Sequence, residues 1–281
     1  MTIGQNRWLP HVILLLGVVV FVFPIYFTFI GSTHDQPTIA RGEMPLTAGP
    51  HLVENYQQAL FSGRGERVSG TPAILLMRNT LFMALAIVVG KIVISVLSAF
   101  AVVFFDFPGR MFFFWMIFVT LMLPVEVRMI PTYAVVARMG LIDTFAGLTI
   151  PLIASATATL LFRQFFLTIP DELVDAAQID GAGAMRFFWS VLLPLSRTNM
   201  AALFVIMFIY GWNQYLWPLL VTTTRGTETI VIGIVKMMAA GDSSVDWNLI
   251  MATAMLAMLP PVVVILLMQR WFVKGLVEPE K

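Results

Sequence analysis

A chain that catalyses a reaction needs a nucleophile, an acid–base pair or a bound metal, and this sequence offers little of each. It has no cysteine, and its three histidines, His11, His34 and His51, all precede the main apolar block. A thiolate nucleophile, a disulfide framework and a thiolate metal site are therefore excluded, and a histidine cluster or proton relay inside the apolar block nearly so. The one Gly-Lys pair, Gly90-Lys91, has Leu85 where a phosphate-binding loop needs its first glycine and Ile92 where it needs Ser or Thr. Neither H-E-x-x-H nor G-x-S-x-G occurs.

What remains is polar chemistry set in apolar surroundings. Lys91 is the one charge well inside an apolar run, and a cation there costs at least ~2.5–3.5 kcal/mol. It must face a water-filled path, where it could attract an anionic phosphate, or pair with Glu126 or another subunit, or snorkel. Glu126 and Arg128 end a shorter run. Two residues apart, they cannot face each other on a helix, so they serve either as gate or lining groups or as interfacial anchors. Asn213 and Gln214, flanked by Trp212 and Tyr215, need hydrogen-bonding partners from neighbouring helices or from a solute path, and Pro218 offers a local break. The apolar runs hold no carboxylate apart from Glu126 at an end, which argues against an intramembrane aspartyl protease.

The elements that position these groups follow from composition. Of the 281 residues, 59% are hydrophobic and 12% charged, against roughly 45–50% and about 25% in soluble domains. With a mean hydropathy of +0.87, most of the chain has lipid as its solvent. A net charge of +1 gives no basic field for nucleic acid. Apolar runs at 12–30, 79–105, 111–125, 144–162, 198–224 and 247–269 predict six transmembrane helices. The first run is too long for a signal core and reads as a retained anchor. The division expected is an N-terminal tip and first helix (1–31), a polar loop (32–78) with one helix around HLVENYQQALF, a core of five spans (79–271) and a tail (272–281). An even number of spans puts both termini on one side. Counting Lys and Arg gives eight on each side and does not choose which.

Between the fourth and fifth runs, residues 163–197 predict an amphipathic hairpin. Thr168 and Asp171 match a capping box with Pro170 in the first turn, and Leu173, Ala176 and Ala177 share a face. Gly181 is the natural stop, and a second helix stacks Met185, Phe188, Trp189 and Leu192 ahead of Pro194. Such a helix either inserts into a groove on another protein or lies on the membrane surface.

Asp175-Ala176-Ala177, three residues, Gly181, and then Leu193-Pro194 resemble the EAA loop of the membrane permease subunits of ABC importers, with Asp175 where the family usually has Glu. GWNQYLWPLL at 211–220 is similar to the fifth-span motif of the carbohydrate-type binding-protein-dependent family. FFWMIFVTLMLPVEVRMIPTY, LIASATATLLFRQFF and PPVVVILLMQRWFVKGLV carry the likeness on to its branch serving sn-glycerol-3-phosphate; residues 31–78 are least similar. The resemblance implies an all-α polytopic permease of the type I importer fold, with both termini in the cytoplasm of a bacterial inner membrane. Its implied partners are a second, homologous permease subunit, two ATP-binding subunits, a periplasmic solute-binding protein and membrane lipid. The chain itself would be a transport subunit that binds no cofactor, ATP and Mg being used by the partner ATPase. ATPase coupling would fall to Asp171, Glu172, Asp175, Ala176, Ala177, Asp180, Gly181 and Arg186, and a translocation path to Lys91, Glu126, Arg128, Trp212, Asn213, Gln214 and Tyr215. The implied solute is sn-glycerol-3-phosphate or a glycerophosphodiester, with a neutral sugar or oligosaccharide as the alternative. Against these stand a membrane-bound enzyme acting on phosphate esters and a passive channel or scaffold.

Overall fold

The computed structural model describes residues 8–63, 70–239 and 245–277. Arg7, Arg64, Arg67 and Lys281 from the basic tally lie outside these, as do the N-terminal tip and residues 278–281 of the tail. The regular structure of the described residues is all helical, with no strand, as expected where the backbone must satisfy its own hydrogen bonds in lipid.

The chain divides into two compact units. The first comprises residues 1–77 and 230–259. It holds α1 (Trp8–Gly31), α2 (Gln36–Ala40), α3 (Leu52–Gln57) with a π turn over Gln58–Ser62, and the first residues of α4 (Ala73–Phe104). α1 is apolar all round and carries Pro24 without interruption. A polar knot lies at the heart of this unit. Asn55, 3% exposed, donates to the carbonyls of Ser32 (2.9 Å) and His34 (2.8 Å) and accepts from the Asn248 amide (2.9 Å). The helix expected around HLVENYQQALF is present, whereas α4 begins at Ala73, inside the segment expected to be loop.

The second unit comprises residues 78–229 and 260–281. After the rest of α4 come α5 (Arg110–Val119) with a tight turn at Thr120–Met122, α6 (Val125–Arg138), α7 (Phe145–Thr149) with a tight turn at Ile150–Leu152, and α8 (Ala156–Phe166). Next are α9 (Asp171–Ile179), α10 (Ala184–Phe187) running through a π turn at Phe188–Leu192 into α11 (Leu193–Leu195), α12 (Arg197–Trp212) and α13 (Leu216–Val221). α14 (Ile230–Met238) and the start of α15 (Trp247–Val277) belong to the first unit. One core cluster of the second unit joins Met83, Ile87, Val136, Leu148, Trp217 and Val221, and the Trp217 indole donates to the Gly147 carbonyl at 3.1 Å. α12 approaches α4 closely because Gly211 has no side chain: a Cβ there would lie 3.1 Å from the Ala84 Cα.

Among the described residues three helices, α1, α4 and α15, are each long and apolar enough to cross a bilayer unaided. Two bent pairs pass together, Phe145–Leu152 with Ala156–Phe166 at 46° and Ala184–Leu195 with Arg197–Trp212 at 69°, while α5 is a shorter apolar helix. The breaks have local causes. Pro124 holds Leu123 extended and ends the α5 segment. Ser155 restarts the chain after the Pro151 turn by accepting the Ala158 N–H at 3.3 Å.

Candidate functional site

The hairpin at 171–195 differs from its sequence expectation at both ends. α9 starts at Asp171 with extended Pro170 before it, and no capping box forms. The Thr168 hydroxyl instead donates backward to the Phe165 carbonyl at 2.7 Å, finishing α8. Asp171 and Glu172 lie in the first turn, where the helix dipole favours acids. At the other end Asp180 is the C-cap and Gly181 is left-handed at φ 69°. The Gly181 N–H bonds the Gln178 carbonyl (2.9 Å) and the Ala182 N–H the Ala177 carbonyl (2.8 Å).

α9 buries no residue: Leu173 and Ala176 are exposed and Ile179 is 86% exposed. Asp171, Glu172, Asp175, Asp180 and Arg186 form no ion pair among the described residues. The second arm is anchored instead. Its expected stripe of Met185, Phe188, Trp189 and Leu192 is corrected to Phe187, Phe188 and Leu192, with Met185 and Trp189 exposed. Pro194 cannot donate to the Ser190 carbonyl, and the widened π turn ahead of it shifts the buried face by a residue. Phe188 meets Phe100 (centroids 4.9 Å apart) and Phe187 meets Phe104 (5.4 Å), which also touches Phe166 (5.9 Å). One arm of the hairpin is thus tied by aromatic rings to the ends of α4 and α8, while the other presents acids and uncovered apolar side chains.

The polar residues expected along a path separate into two groups. Lys91 and Arg128 line one cavity of about 150 Å³, together with Thr132, Tyr210 and Trp217. Lys91 is buried, its Nζ 4.2 Å from the centre of the Tyr210 ring. The pairing of Lys91 with Glu126 does not form; Glu126 is exposed in the first turn of α6 and has no ion pair among the described residues. Trp212 is buried and stacks on Phe208. Asn213 and Gln214 spend their amide protons on the Ile209 (3.0 Å) and Tyr210 (3.2 Å) carbonyls and so close the end of α12. The break expected at Pro218 falls earlier, at Asn213–Tyr215, with Pro218 inside the first turn of α13 where a missing N–H costs nothing. Tyr215 is exposed at this break.

Two features escaped the sequence reading. Tyr210 looked like one more aromatic in an apolar helix, four residues ahead of Gln214. Asp143 sits at positive φ (59°) and accepts the N–H groups of Thr223 (2.6 Å) and Thr224 (3.0 Å), the Thr227 hydroxyl (3.0 Å) and the Thr223 hydroxyl. Desolvation opposes its ionisation, but these bonds outweigh it and hold the carboxyl well below the usual carboxylate range. This clasp fixes the segment after α13 to the turn before α7.

Residues 91–278 match the binding-protein-dependent transport system inner membrane component family. The sn-glycerol-3-phosphate transport system permease protein UgpE of Rhizobium meliloti is 63% identical, covering 98% of this chain and 98% of its own. That of Brucella melitensis is 61% identical with the same coverage, and that of Yersinia pestis 55% over 96% of each. A bacterial ABC transporter involved in the import of the acidic polysaccharide alginate contains a chain of the same fold, with a TM-score of 0.81, 21% identity, and 97% of this chain and 99% of that chain covered. Membership of this family implies a partner permease, an ATPase and a binding protein. The chain therefore belongs to the binding-protein-dependent transport system inner membrane component family, as an all-α permease subunit of an ABC importer in the inner membrane and not an enzyme in its own right.

Proposed function

We propose that this chain forms one half of a path for sn-glycerol-3-phosphate or a glycerophosphodiester, paired with a second, homologous permease subunit. The observation that carries this reading is the likeness, over nearly the whole chain, to permeases named for sn-glycerol-3-phosphate transport. Six spans cross the bilayer, α5 and the bent segments among them, with both termini in the cytoplasm. The α9 hairpin lies on the same side and docks on one of two ATP-binding subunits. Its acids and uncovered apolar face, Leu173, Ala176 and Ile179, suit a groove on that partner. Asp171, Glu172, Asp175, Ala176, Ala177, Asp180, Gly181 and Arg186 provide this contact.

Mechanistically, a periplasmic binding protein delivers solute at the outer face, and closure of the ATPase pair moves α9. The rigid aromatic contacts of Phe187 and Phe188 pass that motion to α4 and α8, and rocking of the spans opens the path to the other side. Lys91, Glu126, Arg128, Trp212, Asn213, Gln214 and Tyr215 line or shape the path, Lys91 and Arg128 at the cavity and the amides by ending α12. The test is reconstitution with all partners. ATP hydrolysis stimulated by the loaded binding protein, and uptake of labelled sn-glycerol-3-phosphate requiring both, are expected. Uptake of a neutral oligosaccharide in its place would overturn the solute assignment, and hydrolysis indifferent to the binding protein would overturn the importer role.

A further inference from the structure

We propose that the cavity beside Lys91 is an anion subsite that takes the phosphate of the transported solute, with Lys91 and Arg128 as its charge partners. The proposal deepens the importer reading and rests on it. Two cations line this cavity, and no carboxylate or amide side chain does. Neither cation has an ion pair among the described residues. Lys91 is 6% exposed and its partner is the Tyr210 ring, a contact that compensates only part of the loss of water around an ammonium. Arg128 adds a like charge to the same cavity instead of neutralising it. A buried ammonium and an exposed guanidinium facing one cavity are both stabilised by a ligand of opposite sign, and a phosphate monoester dianion matches them in number.

The rest of the lining sharpens the chemistry. Val125 and Met129 lower the local polarity and so strengthen ionic contacts. The Thr132 hydroxyl proton is spent on the Arg128 carbonyl at 2.7 Å. The two cations, not hydroxyl contacts, therefore set the preference for an anion. Depth separates solute phosphate from lipid phosphate. Lys91 stands 18 residues from the start of α4 and 13 from its end, about 27 Å and about 20 Å along the axis. That is near the middle of the bilayer, away from the headgroup layers.

The test uses the assembled importer in phosphatidylcholine vesicles. It measures uptake of labelled sn-glycerol-3-phosphate and, in parallel, ATP hydrolysis stimulated by the loaded binding protein. Lys91→Gln and Arg128→Gln are each expected to lower uptake about tenfold or more, the scale of a lost charge-assisted bond, with stimulated hydrolysis retained. Lys91→Arg should recover most of the uptake. Should Lys91→Gln fail to assemble, the exposed Arg128 decides through Arg128→Gln alone. If the unsubstituted importer shows no stimulated hydrolysis, the importer reading itself fails. If stimulation is normal and uptake undiminished in the Gln variants, only the subsite fails. Parallel loss of both activities in Arg128→Gln also overturns the subsite, as a structural effect. A repeat with phosphatidylglycerol identifies the source of the phosphate: an uptake deficit confined to vesicles holding anionic lipid would assign the cavity to a lipid phosphate and overturn the solute assignment.

Discussion

Substitution of Gly181 separates backbone strain from lack of room. The residue ends α9 at φ 69°, and no heavy atom lies within 4 Å of where its Cβ would be. Inside this chain the cost of a side chain is therefore conformational, about 1–2 kcal/mol for an ordinary L residue held left-handed. Asn pays less because its short amide bonds locally, and a β-branched residue fares worst. Set against local opening of the hairpin, 1–2 kcal/mol shifts the closed-to-open ratio by a factor of about 5–30. Solute moved per ATP should fall in the order Gly181, Gly181→Asn, Gly181→Ala, Gly181→Val, with the protein's abundance in the membrane unchanged. The assay is paired uptake and ATP hydrolysis in the reconstituted importer. Asn is larger than Ala, so a ranking by volume, with Ala outperforming Asn, would refute the backbone argument and show that the docked partner's space governs this position. Equal coupling in all four would show that the left-handed cap is dispensable.

Other perturbations test the scaffold. Asp143→Ala strips the acceptor from two backbone N–H groups and the Thr227 hydroxyl; a cost of about 1–3 kcal/mol should appear as a lower melting temperature in detergent. Because the folded carboxyl titrates below its ordinary value, its contribution should be intact at neutral pH and fade as pH drops below about 3.9. A gap between wild type and variant that widened on acidification would contradict this. Asn55→Leu orphans the Ser32 and His34 carbonyls and the Asn248 amide, at about 1–3 kcal/mol per group. Adding Asn248→Leu should recover part of the loss in a double-mutant cycle, and strict additivity would speak against a shared network. Gly211→Ala already brings a Cβ to 3.1 Å from the Ala84 Cα, and Gly211→Leu adds to that overlap, so Leu should cost about 1–3 kcal/mol or more, seen as aggregation on size exclusion, and Ala a smaller share.

The sequence made the long elements plain and hid the interruptions. α4 and α15 are apolar over lengths that nothing but a spanning helix explains. In such runs, however, helical periodicity fades because lipid and protein faces are both apolar, so the gap after Leu152 left no trace in hydropathy, and the end of α12 showed only as the polar pair Asn213-Gln214. Asn213 and Gln214 read either as glue between helices or as lining of a solute path; their amides turn back on carbonyls four residues earlier, a use that spacing alone does not show. The hairpin's second arm was misread because a 3.6-residue period was assumed where a π turn adds a residue. Gly181 was legible because a left-handed stop needs a particular residue type. The meeting of Lys91 with Arg128, and of Asp143 with Thr223, depends on packing between segments far apart in the chain, which no local pattern encodes.

The side of the membrane on which α9 lies, and what covers it there, is measured most directly with one introduced cysteine. The chain has none of its own, so Ile179→Cys, at a site 86% exposed, is a unique label. A membrane-impermeant maleimide should leave it unmodified in intact cells, modify it in inverted vesicles stripped of the ATPase, and fail to modify it once the ATP-binding subunits are restored. Modification from outside intact cells, or equal reactivity with and without those subunits, would contradict an inward-facing hairpin gripped by the ATPase.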